Sequence, residues 1–292
     1  MLNADTLQRF MFENSNIRGT LVHLRATYLN ALQHVAYPDR VAQELGQGLA
    51  ASALLSDTIK FVGSLIIQIQ GQGAVNMLVA QCTHDRHIRG LARWHDDKLN
   101  DPNRDIYDNG RLTITVNTDR TDERYQSVIA LNGATLGDSL EAYFNQSEQL
   151  PTRLWLAADN DQVVGMSLQQ LPQQAGTDSD LWDRVDALSA TLTQDELLKL
   201  TNHQLLHRLF HEEDVRLFDP EPVSFRCSCT REKIVTVIRA LGKAESQSLL
   251  EEQGDIQVSC DFCNHSYMFD AVDVEEIFTG AASSLPPSTT RH

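Results

Sequence analysis

Cysteine is scarce in this chain: five occur in 292 residues, and only Cys82 precedes residue 227. No run of about 18 apolar residues exists, which excludes a transmembrane helix. Met1 to Thr20 mixes acidic and basic side chains and lacks the apolar stretch of a secretory signal, so a non-secreted chain is expected. Positive charge is short as well. Lys and Arg number 24 against 40 Asp and Glu, a net charge of −16. That balance argues against general affinity for nucleic-acid phosphates. It also keeps the chain soluble when partly unfolded. Neither nucleic acid nor a membrane is therefore an expected partner. In a reducing cytosol, paired cysteines point to metal or redox chemistry rather than to a disulfide framework.

What the chain does have is a concentrated set of sulfurs. Cys227-Ser-Cys229 and Cys260-Asp-Phe-Cys263 lie in the last quarter, separated by 30 residues. A C-x-C and a C-x-x-C can supply four thiolates to one tetrahedral Zn²⁺. Each pair can also close into a local disulfide. The alternatives are a structural zinc knot and a redox switch built on one.

The length and an apolar content of 41% suit one large domain plus a smaller one. Pro38 to Lys60 carries apolar residues at helical spacing, Val41, Leu45, Leu49, Leu54 and Leu55. Gly63 to Gln70 alternates as a strand, Gly71-Gln-Gly73 reads as a turn, and Ala74 to Cys82 returns. Further strands are expected at 87–94, 111–118, 125–131, 153–158 and 162–171, with a helix at 134–148. This is an α+β pattern, expected over residues 1–177. The polar stretch 173–180 marks a boundary. Residues 178–222 form a linker of short amphipathic helices, which need a docking partner to be stable. The C-terminal module covers 223–280, with helices after Thr230 and from Ala244, and two short strands flanking the C-x-x-C. The tail, 281–292, is expected to be disordered.

The C-terminal module is of a size that usually needs a staple. A structural zinc contributes roughly 10–16 kcal/mol, comparable with a whole domain's stability of about 5–15 kcal/mol. Zinc would tie residue 227 to residue 263, a long loop. Pairing Cys227 with Cys229, and Cys260 with Cys263, closes only tiny rings, which restrain the unfolded chain far less. Oxidation would thus unfold the module, and linker helices docked against it would loosen and expose apolar groups. Zinc-bound thiolates stay available to an oxidant. Arg226, Arg231 and Lys233 lie close in sequence and could offset the negative charge of such a centre.

Other clusters carry blander readings. Cys82, beside His84 and His87, reads as a small core residue closing a strand. Gly71-Gln-Gly73 has no helix after it, so a hairpin turn fits better than a phosphate loop. His203, His207 and His211 recur at i, i+4, i+8. The spacing could bind metal, but no H-E-x-x-H is present and a solvated or docking face is the simpler reading. A thiol oxidoreductase would place its C-x-x-C at the start of a helix beside a βαβ unit. No catalytic constellation is recognisable, so the chain is not expected to be an enzyme. A zinc-ribbon regulator or adaptor without redox switching is the alternative.

Leu206-His-Arg-Leu-Phe-His-Glu-Glu-Asp214, Phe225-Arg-Cys-Ser-Cys-Thr-Arg-Glu-Lys233, and Cys260-Asp-Phe-Cys263 with Tyr267 and Phe269 closely resemble the redox-regulated 33-kilodalton heat-shock chaperone family. Lys60 to Gly73 looks like that family's N-terminal hairpin. The resemblance implies an ATP-independent holdase of the bacterial cytosol. It implies one Zn²⁺ held by Cys227, Cys229, Cys260 and Cys263 in an inactive reduced form. Oxidation would then form Cys227–Cys229 and Cys260–Cys263, the latter first. Zinc would leave, the linker unfold, and a homodimer capture unfolding client proteins. The family assigns Cys82 no role.

Overall fold

The computed structural model describes residues 5–58, 62–99, 105–118, 124–131, 135–172 and 180–279. The chain opens with β1 (Thr6–Phe12) and β2 (Ile17–Leu24), an antiparallel pair. The sequence pattern predicts no element there. A short helix, α1 (Ala26–Leu32), follows. Its start is capped by the Asp5 carboxylate, which accepts the backbone N–H groups of Arg25, Ala26 and Thr27.

α2 (Asp39–Thr58) is the expected long helix. It packs against strands of two different sheets, so from Leu45 to Leu55 it is buried nearly all round. Small residues make this approach feasible. A Cβ at Gly46 would lie 2.5 Å from Val163 Cγ2, and one at Gly48 would lie 2.7 Å from Leu78 Cδ2.

β3 (Gly63–Gln70), β4 (Val75–Thr83) and β5 (His87–Trp94) form the meander read from the alternation, with β3 burying every second residue. β6 (Arg111–Thr118) and β7 (Arg124–Ala130) extend it on the other side. α3 (Leu136–Tyr143) starts in a capping box between Thr135 and Asp138 and runs into a wider turn at Phe144–Glu148. Gln149, in the left-handed region at φ 55°, ends it. β8 (Thr152–Ala158) and β9 (Val163–Gln170) close the expected hairpin.

The segment expected as a linker, 178–222, holds α4 (Leu181–Ser189), α5 (Gln194–Lys199) and α6 (Asn202–Phe210). Thr193 with Glu196, and Thr201 with Gln204, form capping boxes that start the last two. The apolar partner that these short helices need lies on β1, β2 and β9. Leu181, Val185, Leu197, Leu205, Leu206, Leu209 and Phe210 pack in one cluster with Phe10, Phe12, Ile17, Leu21, Val164 and Met166. Phe12 and Phe210 meet edge to face at 5.0 Å. Arg153 on β8 donates to both carboxylate oxygens of Asp186 on α4, at 2.7 and 2.8 Å.

After α6 come β10 (Val215–Leu217), β11 (Glu221–Pro222) and β12 (Ser224–Phe225). The first sheet is ordered β10-β1-β2-β9-β8, with β11 also on β1. The second is β12-β5-β4-β3-β6-β7. Residues 221–225 therefore tie both sheets, β11 antiparallel to β1 and β12 parallel to β5. A charged network reinforces the tie. Arg86 donates to Glu221 at 2.7 Å and to Asp57 at 2.9 Å, and Arg9 contacts both acids. Burial opposes ionisation of Asp57. The hydrogen bond and charge of Arg9, the Thr20 hydroxyl and the Arg86 charge outweigh it and hold the carboxyl below its ordinary value.

The chain divides into two compact units, Met1–Arg226 and Cys227–His292. The second holds α7 (Arg231–Leu241), α8 (Lys243–Gln253), β13 (Ile256–Ser259), β14 (Ser266–Phe269) and α9 (Ala271–Thr279). Its core is small: Ile234, Ile238, Ile256, Phe269, Val274 and Ile277. The mixed helices and sheets make this an α+β protein, as the pattern indicated. Most of the polar stretch 173–180 and the tail 281–292 lie outside the described residues. Among the described residues no helix is long and apolar enough to cross a membrane.

Candidate metal and redox centre

The second unit places its cysteines through two local devices. Cys227 and Cys229 lie on the extended approach to α7, whose N-cap, Thr230, accepts the Lys233 N–H at 3.4 Å. Lys233 Nζ in turn donates to the Ser228 carbonyl at 2.6 Å, fixing the residue between the two sulfurs. Cys260 and Cys263 occupy the turn between β13 and β14. There the Asn264 N–H bonds the Cys260 carbonyl at 2.7 Å, and the Cys260 N–H bonds the His265 carbonyl at 3.0 Å. Asn264 takes the left-handed conformation, φ 53°, that closes such a turn.

The four sulfurs all lie within 4.8 Å of one another. Cys227 Sγ is 3.6 Å from Cys260 Sγ, and Cys229 Sγ is 3.5 Å from Cys263 Sγ. A tetrahedral Zn–S distance of about 2.3 Å implies sulfur–sulfur edges of about 3.8 Å. A disulfide would need about 2.05 Å, and all five cysteines are free. Both of these contacts join one motif to the other, as expected of four sulfurs around one centre.

Electrostatics give an independent test of fit. Burial pushes the Cys260 thiol up; the N–H groups of Phe262 and Cys263 pull it down, and the neighbouring Cys227 sulfur pushes it up again. Burial also pushes Cys263 up, and the sulfurs of Cys229, Cys227 and Cys260 add to this against the His265 N–H. Four thiols this close cannot ionise together unaided, and a thiophilic cation is what reverses that. N–H donors aimed at two sulfurs and a phenol aimed at a third suit a set of thiolate ligands. The residues present therefore fit a tetrahedral soft metal such as zinc.

Tyr267 is the residue that sequence reasoning passed over as a participant. Its hydroxyl donates to Cys229 Sγ at 3.3 Å. That bond, then burial, raises the phenol to about 12. Its ring also meets His265 edge to face at 4.6 Å. The only signal in the sequence was an aromatic four residues beyond Cys263. Arg231, expected to offset the charge of the centre, serves elsewhere. It pairs with Asp273 at 2.7 Å, donates to the Met268 carbonyl at 2.8 Å and lies 4.1 Å from the Phe269 ring centre. Arg226 belongs to the first unit, where its N–H bonds the Ile88 carbonyl.

The other candidates take structural roles. Cys82 is fully buried; burial pushes its thiol up to about 11 despite a 3.2 Å hydrogen bond from Ser56. His84 bonds the Gly63 backbone through Nδ1. The Gly71–Gly73 turn gives its N–H groups to the carbonyls of Asn76, Asp108 and Tyr107, leaving none for a phosphate. The four-cysteine set is the one group of three or more His, Cys, Asp or Glu side chains close enough to share a metal ion among the described residues.

Comparison with known proteins agrees with this geometry. A family model described as Hsp33 protein matches residues 5–270. The 33 kDa chaperonin of Nitrosococcus oceani is 50% identical over 292 residues, covering all of both chains. Those of Pseudomonas paraeruginosa and Azotobacter vinelandii are 44% and 43% identical, again over both full lengths. The crystal structure of the 33 kDa chaperonin from Thermotoga maritima shares the fold. Its TM-score is 0.79 at 21% identity, over 95% of this chain and 99% of that one. With the cysteine set, the two-sheet unit and full-length relatives in agreement, the chain belongs to the Hsp33 family of chaperones.

Proposed function

We propose that the protein is an ATP-independent holdase of the bacterial cytosol, gated by oxidation of its cysteine centre. The observation that carries this reading is the set of four free sulfurs in mutual contact. It sits on a unit whose core, among the described residues, has six buried apolar side chains. Zinc, when bound by Cys227, Cys229, Cys260 and Cys263, keeps the sulfurs deprotonated and crosslinks the start of the unit to its β-turn.

A peroxide-class oxidant takes one electron pair from Cys260 and Cys263 and a second from Cys227 and Cys229. Two S–S bonds form, and each equivalent of peroxide takes two protons from solvent and leaves as two waters. The sulfurs can no longer hold a cation, and the long crosslink is replaced by two tiny rings. Thr230, Lys233 and Tyr267 then lose the geometry that they brace. Residues 221–225 lead directly into Cys227, so loss of the second unit's fold frees the segment that ties both sheets. The segment 178–222 acts here as a separable linker. Its helices depend on a docked apolar face, and their release uncovers Phe10, Phe12, Val164 and Met166 as well as Leu205, Leu209 and Phe210. Unfolding client chains bind that apolar surface, and the released form dimerises. No nucleic acid, membrane or catalytic turnover is involved.

The test is suppression of aggregation of a chemically denatured client, without nucleotide. Peroxide-treated protein suppresses it, reduced protein does not, and a thiol reductant reverses the gain. Equal activity of the two forms would refute the gating.

A further inference from the structure

The histidine stripe of α6 carries chemistry that neither the cysteine centre nor the chaperone reading uses. α6 buries Leu205, Leu206, Leu209 and Phe210, while His203, His207 and His211 are exposed. Residues four apart on a helix have Cβ atoms about 5–6 Å from each other whatever the rotamers, so the backbone alone brings two imidazoles together. The rings of His207 and His211 are 5.8 Å apart between centroids and 31° from parallel. Among the described residues neither ring makes a hydrogen bond, and His211 Nε2 lies 4.0 Å from a Glu212 carboxylate oxygen. Neither burial nor a hydrogen bond therefore fixes the two imidazoles. The helix beneath them is held by the Thr201–Gln204 capping box and by its buried face.

We propose that His207 and His211 form a second metal site, a two-imidazole chelate for a borderline divalent ion such as Cu²⁺, Ni²⁺ or Zn²⁺. Water fills the remaining positions. Imidazole pairs suit these ions and not Mg²⁺ or Ca²⁺, which prefer oxygen. The absence of an H-E-x-x-H glutamate excludes a hydrolytic zinc centre, not a chelate. Because both ligands are in place only while this turn is helical, the ion favours folded α6. Metal at this site thus opposes release of the linker helix.

The test uses the full-length reduced chain with its cysteine centre loaded with zinc, titrated with Ni²⁺ by calorimetry. Ni²⁺ favours nitrogen and water ligands over a filled tetrahedral thiolate set, so about one ion per chain is expected at the histidines. His207→Gln or His211→Gln weakens binding more than about tenfold, whereas His203→Gln changes it less than about twofold. All three positions are exposed, and the alanine variants repeat the test should a glutamine variant misfold. Hydrogen exchange of α6 amides slows on adding Ni²⁺ only where both histidines remain. Unchanged affinity in the His207 and His211 variants would overturn the proposal. So would an equal loss in the His203 variant, or Ni²⁺ uptake matched by zinc release. None of these readouts depends on chaperone activity.

Discussion

Phe210→Ala tests whether the docked face of α6 is what keeps the linker helices closed. The side chain is 2% exposed and meets Phe12 edge to face at 5.0 Å. Truncating a buried phenylalanine costs about 3–5 kcal/mol, through lost transfer energy and the cavity left behind. About 0.5–1.5 kcal/mol of that reflects the aromatic pair itself. At roughly 1.4 kcal/mol per tenfold, the lower figure raises the open population more than a hundredfold. The loss falls on one sub-structure, because Phe210 belongs to the cluster shared with β1, β2 and β9 and not to the core around α2. Native-state hydrogen exchange should therefore show α4–α6 losing protection while α2 and β3 keep theirs. Reduced F210A should also suppress client aggregation without oxidant. Equal loss of protection in α2, or a reduced variant that opens yet stays inactive, would refute the reasoning.

Further expectations follow from single contacts. Tyr267→Phe removes the hydroxyl that donates to Cys229 Sγ; zinc affinity should fall about tenfold in competition with a colorimetric chelator. Asp57→Asn leaves Arg86 short of a buried partner and should cost about 3 kcal/mol in urea unfolding. The folded carboxyl of Asp57 titrates below its unfolded value. Its contribution is therefore complete above about pH 4 and is lost as the pH falls through the folded value. D57N should accordingly show a shallower acid-side slope than wild type, and identical slopes would contradict the assignment. A strong chelator acting on reduced protein should collapse the amide NMR dispersion of α7–α9 while α2 and β3–β6 keep theirs; a retained α7–α9 fold would show that the metal is dispensable.

The cysteine cluster was legible because its spacing needs no tertiary knowledge: two sulfurs before a capped helix and two in a β-turn. The hairpin of β3 and β4 was legible because β3 buries alternate residues. β1 and β2 were not. Their sheet is covered on both faces, by α2 on one side and by α4–α6 on the other, and the burial of β2 is nearly continuous. Alternation, the usual sign of a strand, fades in that setting. The amphipathic faces of α4–α6 announced a partner without naming it, and the partner proved to be β1, β2, β8 and β9. Tyr267 and the Asp57–Arg86–Glu221 network join residues far apart in sequence, so no local pattern could reveal them.

The central claim is that one chemical event at the four cysteines controls chaperone activity. The direct measurement follows zinc release and suppression of client aggregation in the same oxidant time course. The account predicts loss of about one zinc per chain in step with the appearance of activity, with both reversed by reductant and zinc. Zinc retained after oxidation, or zinc lost with no gain in activity, would contradict it and leave a purely structural metal knot.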